Sequence, residues 1–528
     1  MRIDPRQLDG RAFDVIVIGA GIQGAALARE ATMRGLSTLL VDARDIAAGT
    51  SSRSSRLVHG GLRYLRHGHI GLVKEALQER ERLLRSAPHL VRPQPMLMPF
   101  YPDSGVSSWK MRFGSMLYSK LAGSSTLPRP RRLSSQAAAA AFPGLRTAGL
   151  KSALEFYDAR TQDARLTLAN VVAAVDAGCA LANHAEVCGV DDNGLQLLDR
   201  LSGESVSVRS KAILNAAGPA VDTVRNLCRI EGQALVRLTR GSHIVLPARA
   251  GELALAAFLP DQRIQFVIPH DGGTLCGTTD VDDELQGDEV PPPVEDLDYL
   301  REALGFVLEA VPDRQDVKFA FAGWRALPRV DGPPGSLNRE AFVVSEASRC
   351  GSFHTVVGGK LTTHRSFAER VIVKLFGVTG PSPTRTAVLP GGDGPREVDD
   401  PLWWRHGSRV REVRDLILEN SEFAQPLCPH RPFLIGELVH ALRKLSAVTF
   451  ADVMLRRLVH VLGPCADDAC LQRAHSWFVR ERQWPVDEEC ALAIQSVHAE
   501  IRGLSGDLDS WRDGVSGFGD EHQQVTHD

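Results

Sequence analysis

Cysteine is scarce and poorly arranged for chemistry. The nine cysteines of this 528-residue chain are odd in number and scattered, and no CxxC pair occurs. Cys465 and Cys470 lie closest together, but nothing near them supplies metal-ligand spacing, so free thiols in a reducing cytoplasm and no bound metal are expected. No stretch approaches the roughly 18 apolar residues that a membrane span requires. The opening residues, MRIDPRQLDG, lack the apolar core of a secretory signal. The formal net charge of −3 gives no case for nucleic acid as a partner. No internal repeat is visible. With 43% hydrophobic and 24% charged residues, the chain has ordinary globular composition and enough length for two or three domains.

The N-terminal segment carries the first positive signal. Phe13 to Ile18 is a short apolar run, as expected of a strand buried on both faces. Gly19, Gly21 and Gly24 follow as GxGxxG and open a helical stretch from Ala25 to Gly35. A second strand, Ser37 to Val41, ends at Asp42, about twenty residues beyond the glycines, where a carboxylate binds an adenosine ribose. Strand, tight turn, helix and acid together predict a dinucleotide site, with the pyrophosphate on the helix N-terminus.

Thr50 to Tyr64, TSSRSSRLVHGGLRY, is the most informative tract. It places hydroxyls, three arginines, a histidine and Gly60-Gly61 close behind that second strand. Such a combination favours a flavin enzyme with an anionic substrate over a generic nicotinamide-binding protein. Gly71 to Ser86 has helical apolar spacing. Pro88, Pro93, Pro95 and Pro99 then predict a loop or edge segment. Ser107 to Leu121 interleaves aromatics and methionines with Lys110, Arg112 and Lys120. It fits either a helix with one buried face or an interfacial helix on anionic lipid.

From Gly149 to about Pro390 strands and helices mix. Leu154–Asp158 reads as a strand, Thr161 leads into a helix ending at Ala177, and Ala185–Val190 and Gly194–Leu198 form a hairpin. Lys211 to Pro219 is a strand running into a Gly-Pro break. His243 heads an apolar strand, as a structural histidine or as a base near its ordinary pKa of ~6.5. Arg325 sits in a loop between hydrophobic segments, as an ion-pair partner or an anion ligand. Gly358-Gly359-Lys360-Leu361-Thr362-Thr363 opens a helix, either as an ordinary cap or as an anion-facing N-terminus that suits a reduced flavin.

These motifs carry a resemblance. VIVIGAGIQGAALARE, TSSRSSRLVHGGLRYL, DARLTLAN, NAAGP, RLTRGSHIVLP, RIQFVIP, GTTDV, GGKLTTHR and VLPGG occur in this order from Asp14 to about Gly392. The chain resembles the FAD-dependent sn-glycerol-3-phosphate dehydrogenases of the aerobic, quinone-reducing type, more weakly to about Leu504. The resemblance implies an α/β fold: a two-dinucleotide-binding FAD domain of the amino-acid-oxidase type, an antiparallel-sheet substrate domain and an α-helical C-terminal cap. Residues 1–395 would form the oxidoreductase region. Its FAD-binding segments are about 10–90, 150–225 and 340–380, and its substrate segments about 91–149 and 226–339. Residues 396–504 would form the cap, and 505–528, polar and Gly-rich, a disordered tail.

The implied activity is oxidation of sn-glycerol 3-phosphate, a small phosphorylated polyol, to dihydroxyacetone phosphate, with electrons passed to a membrane quinone. It implies a place in glycerol metabolism and a cytoplasmic protein, peripheral on the inner face of the cell membrane. The alternatives are a flavoenzyme for a related anionic alcohol or hydroxy acid with another acceptor, and a non-catalytic FAD-binding protein. By resemblance Gly19, Gly21, Gly24 and Asp42 bind the adenosine diphosphate. Thr50, Ser51, Ser52, His59, Gly60, Gly61 and Leu62 line pyrophosphate and flavin, with Val187 at the adenine and Gly218 on the return loop. Gly358, Gly359, Lys360, Leu361 and Thr362 lie beneath the ring. Arg63, Tyr64, His243, Arg325 and Lys360 match substrate positions, with His243 and Arg325 catalytic.

Several departures temper the match, among them Ala326 where proline is expected. Trp324 replaces a smaller aliphatic residue and can narrow the pocket beside Arg325. His270 and His364 replace aromatic residues, and Asp42 is shorter than the glutamate expected on the ribose. Beyond Pro401 the chain reads as helical, with helices over Glu437–Leu445, Phe450–Leu462 and Cys490–Leu504. That cap can meet the substrate domain, the membrane or a second subunit, as in a homodimer.

Overall fold

The computed structural model describes residues 1–61, 70–104, 125–270, 272–283, 290–330, 340–349, 351–459, 467–482, 490–505 and 508–513. Leu62, Arg63, Tyr64 and the 107–121 stretch therefore lie outside the described residues.

Two large sheets organise the chain. The first has five parallel strands in the order Gly351–Val357, Ser205–Asn215, Ala12–Ile18, Thr38–Asp42 and Ala180–Asn183, with Phe342–Ser348 antiparallel at one edge. Side chains of the first strand alternate between two cores. Val15 and Val17 join the helices Ile22–Met33, Asp163–Asp176 and His364–Phe376 on one face. Ile16 and Ile18 pack on the other face with Leu39, Val41 and Val187. Burial on both faces is why the sequence runs apolar without alternation.

The second sheet has ten strands and is mixed rather than purely antiparallel, because Ala254–Phe258 pairs parallel with Val91–Phe100. The helix Val294–Val307 covers one face through Leu297, Leu300 and Leu304. The other face carries Met96, Phe156, Val245, Phe319 and Phe321. The proline-rich segment expected as a loop or edge is the strand Val91–Phe100 inside this sheet, flanked on both sides. Pro93, Pro95 and Pro99 share one parity, so their missing donors all fall on one side of the strand. The long partner Ser152–Thr161 pairs along all ten residues, whereas Ala254–Phe258 meets only Met96 and Leu97.

The C-terminal helices Val410–Glu419, Ile435–Lys444, Asp468–Glu481 and Cys490–Ser505 share a separate core. The helix expected over Phe450–Leu462 contains a π-helical turn, Asp452–Arg457. Asp45, just beyond the second parallel strand, joins this body to the first sheet. Its buried carboxylate accepts from Arg456 at 2.6 Å and from both Arg457 amino groups at 2.7 Å.

The expected disorder from residue 505 is corrected for 508–513. Leu508–Arg512 is helical, with Leu508 and Trp511 in the core under the second sheet. Trp511 Nε1 donates to Asp298 at 2.9 Å, and Arg512 donates to the Val317 carbonyl at 2.8 Å. The polar, Gly-rich composition conceals one large apolar side chain whose burial suffices to dock a turn. Trp511→Ala should cost about 3–5 kcal/mol of local stability, as for other buried tryptophans. Thermal unfolding followed by tryptophan fluorescence checks this, and an unchanged midpoint would mean that the helix is not docked.

Candidate active site

Strand register brings the cofactor motifs to one edge. Ile18 lies opposite both Val41 and Asn215, and Asn215 lies opposite Thr355. The segments after these strands, 19–24, 42–45, 216–219 and 358–363, therefore converge at the carboxyl ends of neighbouring parallel strands, the crevice in which such sheets bind ligands. A Cβ on Gly24 would lie 1.8 Å from the Gly19 carbonyl oxygen, and one on Gly19, at φ +101°, would lie 2.6 Å from that of Ala216. Only glycine allows this packing of turn, helix and neighbouring loop. Gly359 presses on the Gln23 side chain, and the His59 N–H donates to Thr362 Oγ1 at 3.2 Å. Gly218 starts a short turn, and Val187 packs against Ile18 and Val41.

Asp42, expected at the ribose, braces the chain around it. Its two oxygens accept the Ala20 N–H at 2.6 Å and the Arg44 N–H at 2.8 Å, bracing the glycine turn. Burial pushes its carboxyl above the ordinary value despite these bonds. Each oxygen keeps a lone pair for a ribose hydroxyl. The side-chain-free turn and the N-terminus of Ile22–Met33 fit a pyrophosphate. Thr362 and Thr363 at the head of His364–Phe376 fit an electron-rich ring edge. His364 is a buried structural group: its Nδ1 bonds the Leu361 carbonyl at 2.6 Å, and burial lowers its pKa to about 4.

Residues 50–60 run from this crevice to the second sheet. Ser51 Oγ accepts the Ile22 N–H at 2.9 Å, at the helix start. Thr50 Oγ1 donates to the Trp324 carbonyl at 2.7 Å. Ser54 donates twice to Asp163, and the Gly60 N–H reaches Asp158. Ser55 Oγ lies 2.8 Å from His243 Nε2, and Arg56 donates to His270 Nε2 at 2.5 Å. The tract thus meets the candidate substrate residues as early as Ser55.

His243 and Arg325 share one face of two paired strands, Val236–Pro247 and Phe319–Pro328, in which His243 opposes Phe321 and Thr239 opposes Arg325. Arg325 is therefore a strand residue, not a loop residue as expected. The His243 ring stacks on Phe321 with centroids 5.0 Å apart. Two glycines make room for the pair. A Cβ on Gly277 would lie 2.3 Å from His243 Cδ2, and one on Gly241 would lie 2.2 Å from Arg325 Nη2. Burial lowers the His243 pKa to about 3, with repulsion from Arg325 and Arg56 adding to it. The Gly241 backbone opposes this in smaller measure. Arg325 Nη1 donates to the Thr279 carbonyl at 2.9 Å and to Asp280 at 3.0 Å, and Nη2 donates to Thr278 Oγ1 at 2.8 Å.

Trp324 does not narrow this site. Its side chain points to the opposite face and is buried with Val290 and Ala322. Lys360 is half-buried at the start of its helix segment. Sequence reasoning missed Ser55, Arg56, Phe321 and Asp280. Arg56 and Ser55 lie in the singled-out tract and Asp280 in GTTDV, so the motifs held them without revealing their partners. Phe321 carried no signal.

Residues 14–365 match the family described as DAO, FAD dependent oxidoreductase. The glycerol-3-phosphate dehydrogenase of Synechocystis sp. is 35% identical over 85% of this chain and 89% of its own length. The aerobic glycerol-3-phosphate dehydrogenase of Staphylococcus aureus is 33% identical over 74% of this chain and 72% of its own. The glycerol-3-phosphate dehydrogenase of Bacillus halodurans, solved in complex with FAD, superposes with a TM-score of 0.74 at 27% identity and covers 94% of this chain and 96% of its own. An L-α-glycerophosphate oxidase from Mycoplasma pneumoniae shares the fold, with a TM-score of 0.53 at 18% identity. A glycine-lined crevice, a histidine–arginine face on the adjoining sheet and relatives along most of the sequence agree: this chain belongs to the glycerol-3-phosphate dehydrogenase family of FAD-dependent oxidoreductases.

Proposed function

We propose that this chain oxidises sn-glycerol 3-phosphate to dihydroxyacetone phosphate and passes the electrons to a membrane quinone. The observation that carries the reading is the shared strand face of His243 and Arg325, reached by the same tract that braces the cofactor crevice. FAD would supply the hydride acceptor, and Gly19, Gly21, Gly24, Asp42, Ser51 and the 358–362 segment would hold it. His243 takes the C2 hydroxyl proton at Nε2, the nitrogen that faces Ser55. Its depressed pKa keeps the ring neutral, so a lone pair is available.

Arg325 binds the phosphate, supported by Lys360 and by Arg63 and Tyr64 from outside the described residues. A phosphomonoester carries nearly two negative charges at neutral pH. Its approach offsets the cationic repulsion on His243 and raises the basicity of the ring as the substrate arrives. The quinone, peripheral attachment to the inner membrane face and a homodimer complete the proposal. Anaerobic titration with sn-glycerol 3-phosphate should bleach the flavin, with reoxidation by a quinone analogue faster than by oxygen. Faster reoxidation by oxygen would instead make the protein an oxidase.

Arg325→Ala should raise KM for the substrate about 10- to 100-fold with FAD retained, the size expected for a lost charged hydrogen bond. His243→Ala should lower kcat about 10²- to 10⁴-fold. Single-turnover flavin reduction measures both, and undiminished reduction in the two variants would remove them from the site. Gly277→Ala should lower kcat with FAD still bound, because the added methyl overlaps the His243 ring; wild-type turnover in that variant would contradict the close approach.

The pH profile has a defined sign. A base whose folded pKa is lowered to about 3 stays unprotonated from neutral pH down to that region. His243 should therefore contribute no loss of flavin reduction near ~6.5, the ordinary histidine value. Flavin-reduction rates at low substrate between pH 5 and 8, which report the free enzyme, check this, and an acid limb near the ordinary value that disappears in His243→Ala would contradict it.

A further inference from the structure

We propose that the C-terminal helical body binds a zinc ion through Cys428, His430 and Cys470. These residues take no part in the flavin site, and the spacing of the cysteines in the sequence predicts no metal. The fold brings them together. Cys428 ends the strand Pro426–Cys428, His430 lies in the turn before Arg431–Leu434, and Cys470 lies in the first turn of Asp468–Glu481. Their ligand atoms all fall within 4.8 Å of one another.

The geometry is that of a soft tetrahedral site. His430 Nδ1 is 3.5 Å from Cys470 Sγ and 3.8 Å from Cys428 Sγ. Tetrahedral zinc, with bonds of about 2.3 Å to sulfur and 2.0–2.1 Å to nitrogen, sets sulfur and nitrogen ligands about 3.6 Å apart. The three atoms therefore already stand close to ligand spacing. Two thiolates and an imidazole select zinc over magnesium or calcium.

The local backbone turns partial positive charge toward the two sulfurs. The His430 N–H donates to Cys428 Sγ at 3.3 Å. Cys470 is the third residue of its helix, capped by Asp467, where the helix dipole stabilises negative charge. Both cysteines are buried, whereas His430 is exposed, so the ion would sit at the surface with the imidazole as its outer ligand. The fourth tetrahedral position is left to water or a further thiolate.

A second cluster of similar compactness, Asp45, His184 and Asp452, makes a useful contrast. Arg456 and Arg457 already compensate its carboxylates, so the charge a metal would supply is present. The ion would pin the 426–434 hairpin to the first turn of the helix beginning at Asp468, joining elements forty residues apart.

The test uses the full-length FAD-loaded protein after chelation and anaerobic reduction. Cobalt(II) should bind at about one ion per chain, with tetrahedral d–d bands beyond the flavin absorption and thiolate charge transfer in the near ultraviolet, both lost on adding zinc. Cys428→Ser and Cys470→Ser should abolish these bands, and His430→Ala should weaken cobalt affinity at least tenfold, each with FAD content unchanged. Should the serine variants fail to fold, the wild-type protein still decides. Zinc should shield Cys428 and Cys470 from alkylation, read by peptide mass spectrometry. Equal alkylation with and without zinc, cobalt bands that survive all three substitutions, or a Cys428–Cys470 disulfide in protein prepared anaerobically would overturn the proposal.

Discussion

The hydrogen bonds of residues 50–56 hold the two sheets at one offset, and the candidate chemistry depends on that offset. Ser51 grips the start of the helix behind the glycine turn, Thr50 grips a backbone carbonyl of the second sheet, and Ser55 reaches His243. Each bond is worth only about 1 kcal/mol net. Their larger value is geometric. Hydroxyl side chains of serine and threonine are short, so each bond fixes the backbone to within a narrow distance. Hydride transfer between groups on different sheets is sensitive to displacements of about an ångström. Gly323 serves the same constraint: a Cβ there would lie 2.7 Å from that of Arg53, so the tract lies directly on the strand that carries Arg325.

Charge is arranged around a neutral base. Arg56 and Arg325 flank His243, while Asp163 and Asp280 stand behind the two guanidiniums. Burial keeps the imidazole unprotonated, and the two cations add to that effect. An anion that binds Arg325 removes part of that influence at the moment when a proton must be accepted. The low dielectric of the site enlarges both effects. On the proposed reading, recognition of the charged end of the substrate and the basicity of the ring are linked through a single guanidinium.

The elements legible in the sequence are those dictated by sterics or by local periodicity. Gly19, Gly21 and Gly24 are demanded by backbone contacts within a few residues, and Phe13 to Ile18 announces a strand buried on both faces. The less legible features are set by distant partners. Pro93, Pro95 and Pro99 read as breakers, yet they sit in an internal strand because their shared parity spares the ladder to Ser152–Thr161. Arg325 was identifiable by type and neighbourhood, but its bond to Asp280 depends on the pairing of Val236–Pro247 with two other strands. Trp511 lies in a segment whose average composition argues for disorder, and a single docked indole overrides that average. Cys428 and Cys470 are 42 residues apart, so no local motif relates them.

The adjacency of Trp324 and Arg325 gives the clearest lesson for substrate choice. In a strand, neighbours in sequence are on opposite faces, so the indole packs with Val290 while the guanidinium turns toward His243. Asp280 already occupies part of the Arg325 fork. A hydroxy acid would bring a single charge and two acceptor oxygens to that partly engaged guanidinium. A phosphate monoester brings nearly two charges and three acceptor oxygens, enough to engage Arg325 and also accept from Lys360. On the proposed reading, the extra charge and the extra acceptor favour a polyol phosphate over a hydroxy acid as the reductant.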